Sequence, residues 1–342
     1  MNRRQFIASG ATAAAALAQG RKSVKLGVDL FSIRDSGYSP FEYLDYCAGL
    51  GARVVHFSEI RFVGSLEPAH LRQVRAHAGE LHIEVEIGMR SFCPSSAMFD
   101  AKLGTAEEQL TRMMDAAVAI GSPIVRTVLG SMDDRKDPPG IEAHIEDSVR
   151  VLRAVRSQAL DRGIKIAIEN HAGDMQAREL KTLVEEAGKD FVGVCLDSGN
   201  PLWTIEDPHL TLETLHPYVL TSHVRDTAVW AVPEGAAVQW TRMGDGNVGI
   251  DDYVRKYAEL CGGRALSLEI IVTGPRIFPY RKAEFWQKYR HTPAWEFERF
   301  ANLVDAGKPR PTQPAVPKEL AAQRQRDDLE ASMGYTKKLL DL

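Results

Sequence analysis

The 342-residue chain is 44% hydrophobic and 26% charged, and its 42 Lys and Arg against 46 Asp and Glu leave a net charge of −4. That is ordinary globular composition with length for a large core, and the lack of a basic run excludes nucleic acid as the main partner. The four cysteines, Cys47, Cys93, Cys195 and Cys261, are scattered without paired spacing, so neither a disulfide framework nor a Cys-rich zinc site is expected.

Residues 1–18 stand apart. Arg3 and Arg4 precede Phe6, an Ala-rich apolar run follows, and Ala16-Leu17-Ala18 offers a small-x-small cleavage site. The segment resembles a twin-arginine export signal. Its apolar run is too short and too Ala-rich for a span, so the expectation is a periplasmic or secreted protein without a membrane-spanning segment.

From residue 24 strand and helix signals alternate, which predicts repeated βα units and a parallel sheet. Strands are expected at 24–30, 53–57, 83–89, 124–129, 164–171, 192–197, 219–223 and 265–269. Helices are expected at 40–50, 68–81, 106–120, 141–162, 177–187, 208–215 and 251–260, with a long loop between the seventh strand and Gly244-Asp245-Gly246-Asn247. An aromatic-rich stretch, 273–300, is expected to hold the eighth helix in its second half. Residues 308–317, with four prolines, read as an extended linker, and 318–342 as a polar C-terminal helix packed on the barrel or on a second subunit of a homo-oligomer. The fold class is therefore α/β, a (β/α)8 TIM barrel over 24–307 with a linker and helical extension over 308–342; such barrels take about 250 residues and tolerate insertions.

The stretch Ile-Lys-Ile-Ala-Ile-Glu-Asn-His at 164–171 shows how the chemistry is organised. Alternate strand residues face opposite ways, so Glu169, Ala167 and Lys165 share one face and three isoleucines the other. Three later strands repeat the design: Asp197 with Cys195 and Gly193, His223 with Thr221, and Glu269 with Ser267 and Ala265. Four consecutive strands thus end on a metal-ligand type, at the barrel end that carries active sites. Three carboxylates and an imidazole make an oxygen-rich site suited to one divalent ion, Mn²⁺ first, with Mg²⁺, Co²⁺ or Zn²⁺ as alternatives.

Glu169-Asn170-His171, Asp197-Ser198-Gly199-Asn200, Ser222-His223-Val224-Arg225-Asp226, Gly244-Asp245-Gly246 and Leu268-Glu269 resemble the xylose isomerase-like barrel superfamily. Its members, often called sugar phosphate isomerases/epimerases, include ketose 3-epimerases, inosose dehydratases and the endonuclease IV group. The resemblance implies that Glu169, Asp197, His223 and Glu269 hold the metal, that Glu169 and Glu269 also move protons on opposite faces of a sugar, and that the substrate is a small carbohydrate. Two departures stand out. Asn200 replaces the histidine often found three residues past the ligand Asp, and Arg225 and Asp226 follow His223 directly, where epimerases have an arginine further on. Asn200 also removes a ligand of the endonuclease cluster.

Further substrate-side candidates are His171, which would bind a hydroxyl or orient Glu169, and Asn200, Arg225, Arg90 and Arg126; Glu59 and His56 carry less weight. Asp226 is a candidate for the substrate side or for fixing His223. Trp203, Trp230, Trp240 and the aromatics after Glu269 either wall a sugar pocket or pack loops over the barrel mouth. The expected activity is isomerase or epimerase chemistry through an enediolate, with elimination from a keto-glycoside or inosose-like substrate, or a non-catalytic sugar-binding barrel, as alternatives.

Overall fold

The computed structural model describes residues 24–342 except 137 and 312–315. The export-signal segment, residues 1–18, lies outside the described residues, as does the middle of the proline-rich linker. Among the described residues, no helix is long and apolar enough to cross a membrane.

Seven strands open the chain: β1 (Lys25–Asp29), β2 (Val54–Phe57), β3 (Glu84–Ser91), β4 (Ile124–Val128), β5 (Lys165–Glu169), β6 (Val192–Asp197) and β7 (Val219–Val224). Each pairs in parallel with the next. The connections carry helices α1 (Pro40–Gly49), α2 (Ile60–Val63), α3 (Pro68–Glu80), α4 (Ala106–Ile120), α5 (Ile141–Arg162), α6 (Ala177–Ala187) and α7 (Pro208–Leu215). Their starts are written locally. Ser39 with Glu42, and Thr105 with Glu108, form reciprocal capping boxes that satisfy otherwise orphaned backbone donors.

The chain then leaves the expected pattern. In place of the long loop after β7 it makes an antiparallel hairpin, β8 (Asp226–Val232) and β9 (Gly235–Thr241), followed by α8 (Ile250–Leu260). Strand β10 (Ala265–Leu268) enters between β7 and β1 and closes the eight-stranded barrel. β11 (Arg276–Phe278) joins the hairpin as its third strand.

Helix α9 (Ala294–Ala306) packs on this small sheet, not in the barrel's ring of helices. Its Phe300 and Val304 share a satellite core with Val229, Val238, Phe278 and Tyr289. The place beside β10 and α8 is taken by the C-terminal helix, α10 (Lys318–Leu340). Leu329 and Met333 enter the main core, Tyr46 donates to Glu330 at 2.8 Å and Ser332 accepts from the Met243 amide at 3.2 Å. The expectation for 273–300 is therefore corrected. Most of its aromatic side chains build the core of this small sheet, and the helix that completes the ring comes after the linker.

The barrel interior follows the predicted alternation. Ala167 and Cys195 meet inside with Ile124, and Thr221 donates across the barrel to Glu86 at 2.6 Å. Leu220 also turns inward, because the β6–β7 register slips between Val194 and Cys195. Glycine at 193 makes room for it: a Cβ there would sit 2.6 Å from Leu220 Cγ and from the Tyr218 carbonyl.

Replacing fully buried Leu329 by alanine is expected to cost about 2–5 kcal/mol in chemical denaturation. Leu320→Ala on the exposed side of the same helix should stay within about 0.5 kcal/mol. Equal losses would contradict the assignment of α10 to the barrel wall.

Candidate active site

The strand tips are tied together where the ladder runs out. Asn170 beyond β5 donates to the Asp197 carbonyl and accepts from the Asp197 amide, both at 2.9 Å. Ser198 beyond β6 donates to the Arg225 carbonyl at 2.7 Å and accepts from its amide at 2.9 Å. Ser32 does the same between β10 and β1, donating to the Leu268 carbonyl at 3.2 Å and accepting from the Ile270 amide at 2.9 Å. Each side chain completes two backbone groups that burial would otherwise leave unpaired. Asp197 accepts from the amides of Gly199 and Asn200 at 2.7 and 2.8 Å, which folds Asp-Ser-Gly-Asn into a turn.

This scaffold brings the four sequence-predicted ligands together. Carboxylate oxygens of Glu169, Asp197 and Glu269 and a ring nitrogen of His223 all lie within 4.8 Å of one another. His223 Nδ1 is 2.9 Å from Glu169 and 3.6 Å from Glu269, yet it is buried with no hydrogen-bond partner. Its Nε2 faces the other way, 3.0 Å from His56 Nδ1 and 3.5 Å from Asp29.

Two arginines share the cluster. Arg126 Nε donates to Glu169 at 2.6 Å. Arg225 reaches both Asp197 and Glu269. With all three carboxylates ionised, two guanidiniums would leave one negative charge unmatched, and a buried charge without a partner is costly. His223 registers the shortage. Burial works to lower its ring, and Cys195, Glu169, Asp29 and Glu269 outweigh burial and raise it well above the ordinary imidazole range. A divalent cation meets the same demand, and the orphaned Nδ1 with its three oxygen neighbours is a donor set that fits one.

The two glutamates differ. Burial works to raise both. At Glu169 the charges of Arg126 and His223 win and hold the carboxyl well below the usual range. At Glu269 burial wins over Arg225 and His223, and the carboxyl is pushed up to about 8. Glu269 also fronts a cavity of about 310 Å³ that Arg126, Arg225, Asn200, His171 and Trp240 help to line. Glu169, Asp197 and His223, with no exposed surface, stand behind that wall.

The other expected residues divide. His171 lines the cavity but does not orient Glu169; its Nδ1 lies 2.7 Å from the Gly130 carbonyl. Asn200 donates to Glu169 at 3.2 Å and keeps its Oδ1 buried without a partner. Arg90 and Glu59 are on the cavity wall. His56 lies behind His223. Asp226 is corrected: it neither faces the cavity nor fixes His223. It accepts from the amides of Thr227, Gly244 and Gly246 at 2.7, 3.1 and 2.8 Å, so Gly244-Asp245-Gly246 is the loop that Asp226 anchors. A Cβ on Gly246 would come 2.1 Å from its carboxylate.

Asp29 and Glu86 escaped the sequence reading. They share a register with His56 on β1, β2 and β3, and the same alternation that singled out Glu169 would have found them. Of the tryptophans, Trp203 and Trp240 stack at 4.3 Å and 8° on the cavity wall, with Arg225 over Trp240 and Arg276 over Trp203. Trp230 packs with Ala228 and Ala237 in the hairpin.

Residues 43–288 match the family model described as xylose isomerase-like TIM barrel. The chain is 26% identical over 185 residues to a 3-oxo-isoapionate decarboxylase of Pectobacterium atrosepticum, covering 54% of this chain and 60% of that protein; it thus spans less than two thirds of that relative. Among solved structures it is similar to D-psicose 3-epimerase of Clostridium cellulolyticum H10, with a TM-score of 0.60 at 13% identity over 93% of this chain and 99% of that one. It is also similar to the IOLI protein with a bound zinc atom, with a TM-score of 0.59 at 15% identity over 91% and 99%. At these identities the structures speak for the fold.

A ligand that holds a proton competes with the metal, so the raised Glu269 and His223 set a sign. Mn²⁺ affinity measured by calorimetry should weaken as pH falls from about 8 to about 6. Glu269→Gln should make that slope shallower, leaving the His223 part. A pH-independent affinity in the parent protein would contradict the assignment.

Proposed function

Because the chain belongs to the xylose isomerase-like TIM barrel family, we propose that it is a metal-dependent isomerase of a small carbohydrate, working through an enediolate with Glu269 as the group that carries the proton. Glu169, Asp197, His223 and Glu269 would hold the ion, which when bound supplies Lewis-acid polarisation of carbonyl and hydroxyl oxygens.

The observation that carries this reading is the asymmetry of the two glutamates. Glu269 fronts the cavity, where a substrate can reach it, and in the metal-free protein burial favours its protonated form; a group that gives and takes a proton needs both that access and that tendency. Glu169 is buried behind the wall and pinned by Arg126, so it serves as a fixed anion. A proton taken and returned by Glu269 stays on one face of the substrate. That supports transfer between neighbouring carbons more than inversion at one carbon, which needs a second base opposite. Asn200 and His171, on the cavity wall, would hold hydroxyls, and Arg225 and Arg126 would balance the negative charge that develops.

A lyase is the second reading, favoured by the cationic wall of Arg90, Arg126 and Arg225 and by the decarboxylase relative. Loss of CO2 from a β-keto acid puts the bonding pair of the broken C–C bond into the adjacent carbonyl system, and Glu269 would return a proton to that carbon.

Free and oxidised sugars incubated with the Mn²⁺-loaded protein in deuterated water test both. Glu269→Gln should slow deuterium incorporation by about 10²–10⁴ while metal stays bound. Isomerisation gives a labelled isomer, and the lyase a shortened or unsaturated product. Exchange that survives in Glu269→Gln and vanishes in a metal-retaining Glu169→Gln would reverse the roles. No exchange with any sugar would leave a binding barrel.

A further inference from the structure

A second cavity lies beside the space in front of Glu269. Glu59, Arg90 and Met98 line that space and also line this neighbouring cavity of about 480 Å³, so the two adjoin across these three residues. The walls of the second space are different in kind. Met89, Met113, Leu66 and Leu103 surround it with Met98 and Ile60, drawn from β3, α2, α4 and the segments beside them.

Met89 and Met113 are 4% and 3% exposed, so they form a floor. Ile60 and Leu103 are 37% and 51% exposed at the rim. Large apolar side chains left open around a concavity beside an active site mark a ligand surface more often than a chance exposure. Methionines suit such a wall, since their flexible thioethers adapt to a flat ring.

Several polar groups of the lining are paired with neighbouring protein groups. Arg61 is turned onto Glu59 and over the rings of Phe31 and Phe62. Gln109 donates to the carbonyls of Asp100 and Gly104, both at 2.9 Å. Arg90 remains at the junction, exposed and facing both spaces.

We propose that this annex receives an apolar group, of about the size of one aromatic ring, carried by the substrate, so that the preferred substrate is a substituted carbohydrate and not a free monosaccharide. The inference rests on reading the first cavity as the carbohydrate site. The sugar lies before Glu269, the link passes Arg90, and the apolar group lies against Met89, Met98 and Met113.

The test compares phenyl and methyl glycosides of glucose, galactose, mannose and xylose, bound to the Mn²⁺-loaded protein and read by calorimetry. The phenyl member of at least one pair should bind about tenfold or more tightly than its methyl partner. Leu103→Asp, at the exposed rim, should bring the two within about twofold while leaving methyl-glycoside binding unchanged. Met113→Trp, filling the annex from within, should do the same. Pairs that bind alike, or a phenyl advantage untouched by both variants, would overturn the annex and leave the carbohydrate reading standing. Failure of every glycoside to bind, together with no exchange from any sugar, would remove both readings.

Discussion

Everything at the mouth of this barrel answers to one electrostatic constraint: three carboxylates brought to the tips of β5, β6 and β10 with almost no water to share. Such a cluster is stable only if positive charge is supplied. Arg126 supplies it to Glu169, and Arg225 to Asp197 and Glu269. The remaining shortfall is met by His223 or by a divalent ion. Local structure serves the same end. Asn170, Ser198 and Ser32 each tie a tip to the next element, so the carboxylates cannot separate to relieve their repulsion without breaking paired backbone bonds.

The arginines divide the labour between the two glutamates. Arg126 approaches Glu169 from β4 and holds it charged. Arg225 lies between Asp197 and Glu269 and is itself braced by the stacked Trp240 and Trp203. Those tryptophans come from the turn after β6 and from the hairpin inserted after β7. The hairpin is thus part of the site, and Trp240 is held by its stack on Trp203 and by donating to the Gly199 carbonyl at 3.1 Å.

Most of the barrel was legible because each strand is a short apolar run with a polar end, and a period of two leaves little choice of face. Glu169, Asp197, His223 and Glu269 were found on that basis alone. What was not legible depended on partners distant in the chain. The hairpin strands, Asp226–Val232 and Gly235–Thr241, carry the signal of buried strands, but a barrel reading had no place for two more and left a loop. Asp226 sits one residue past Arg225 and looked like a partner for His223. Only the fold shows that Gly244 and Gly246 come round to meet it. The ring-closing helix was misplaced for a similar reason: residues 294–306 and 318–340 both form helices, and which one meets β10 is decided by packing. Asp29 and Glu86 were within reach of the same alternation, on strands that do not end so plainly on a ligand.

Anomalous diffraction from Mn²⁺-loaded crystals tests the central claim most directly. One peak per chain is predicted, within coordination distance of oxygens of Glu169, Asp197 and Glu269 and of Nδ1 of His223. A peak on the opposite side of the ring, between His223 Nε2, His56 and Asp29, would contradict the account, as would Mn²⁺ bound only at the surface with Arg225 still between the carboxylates.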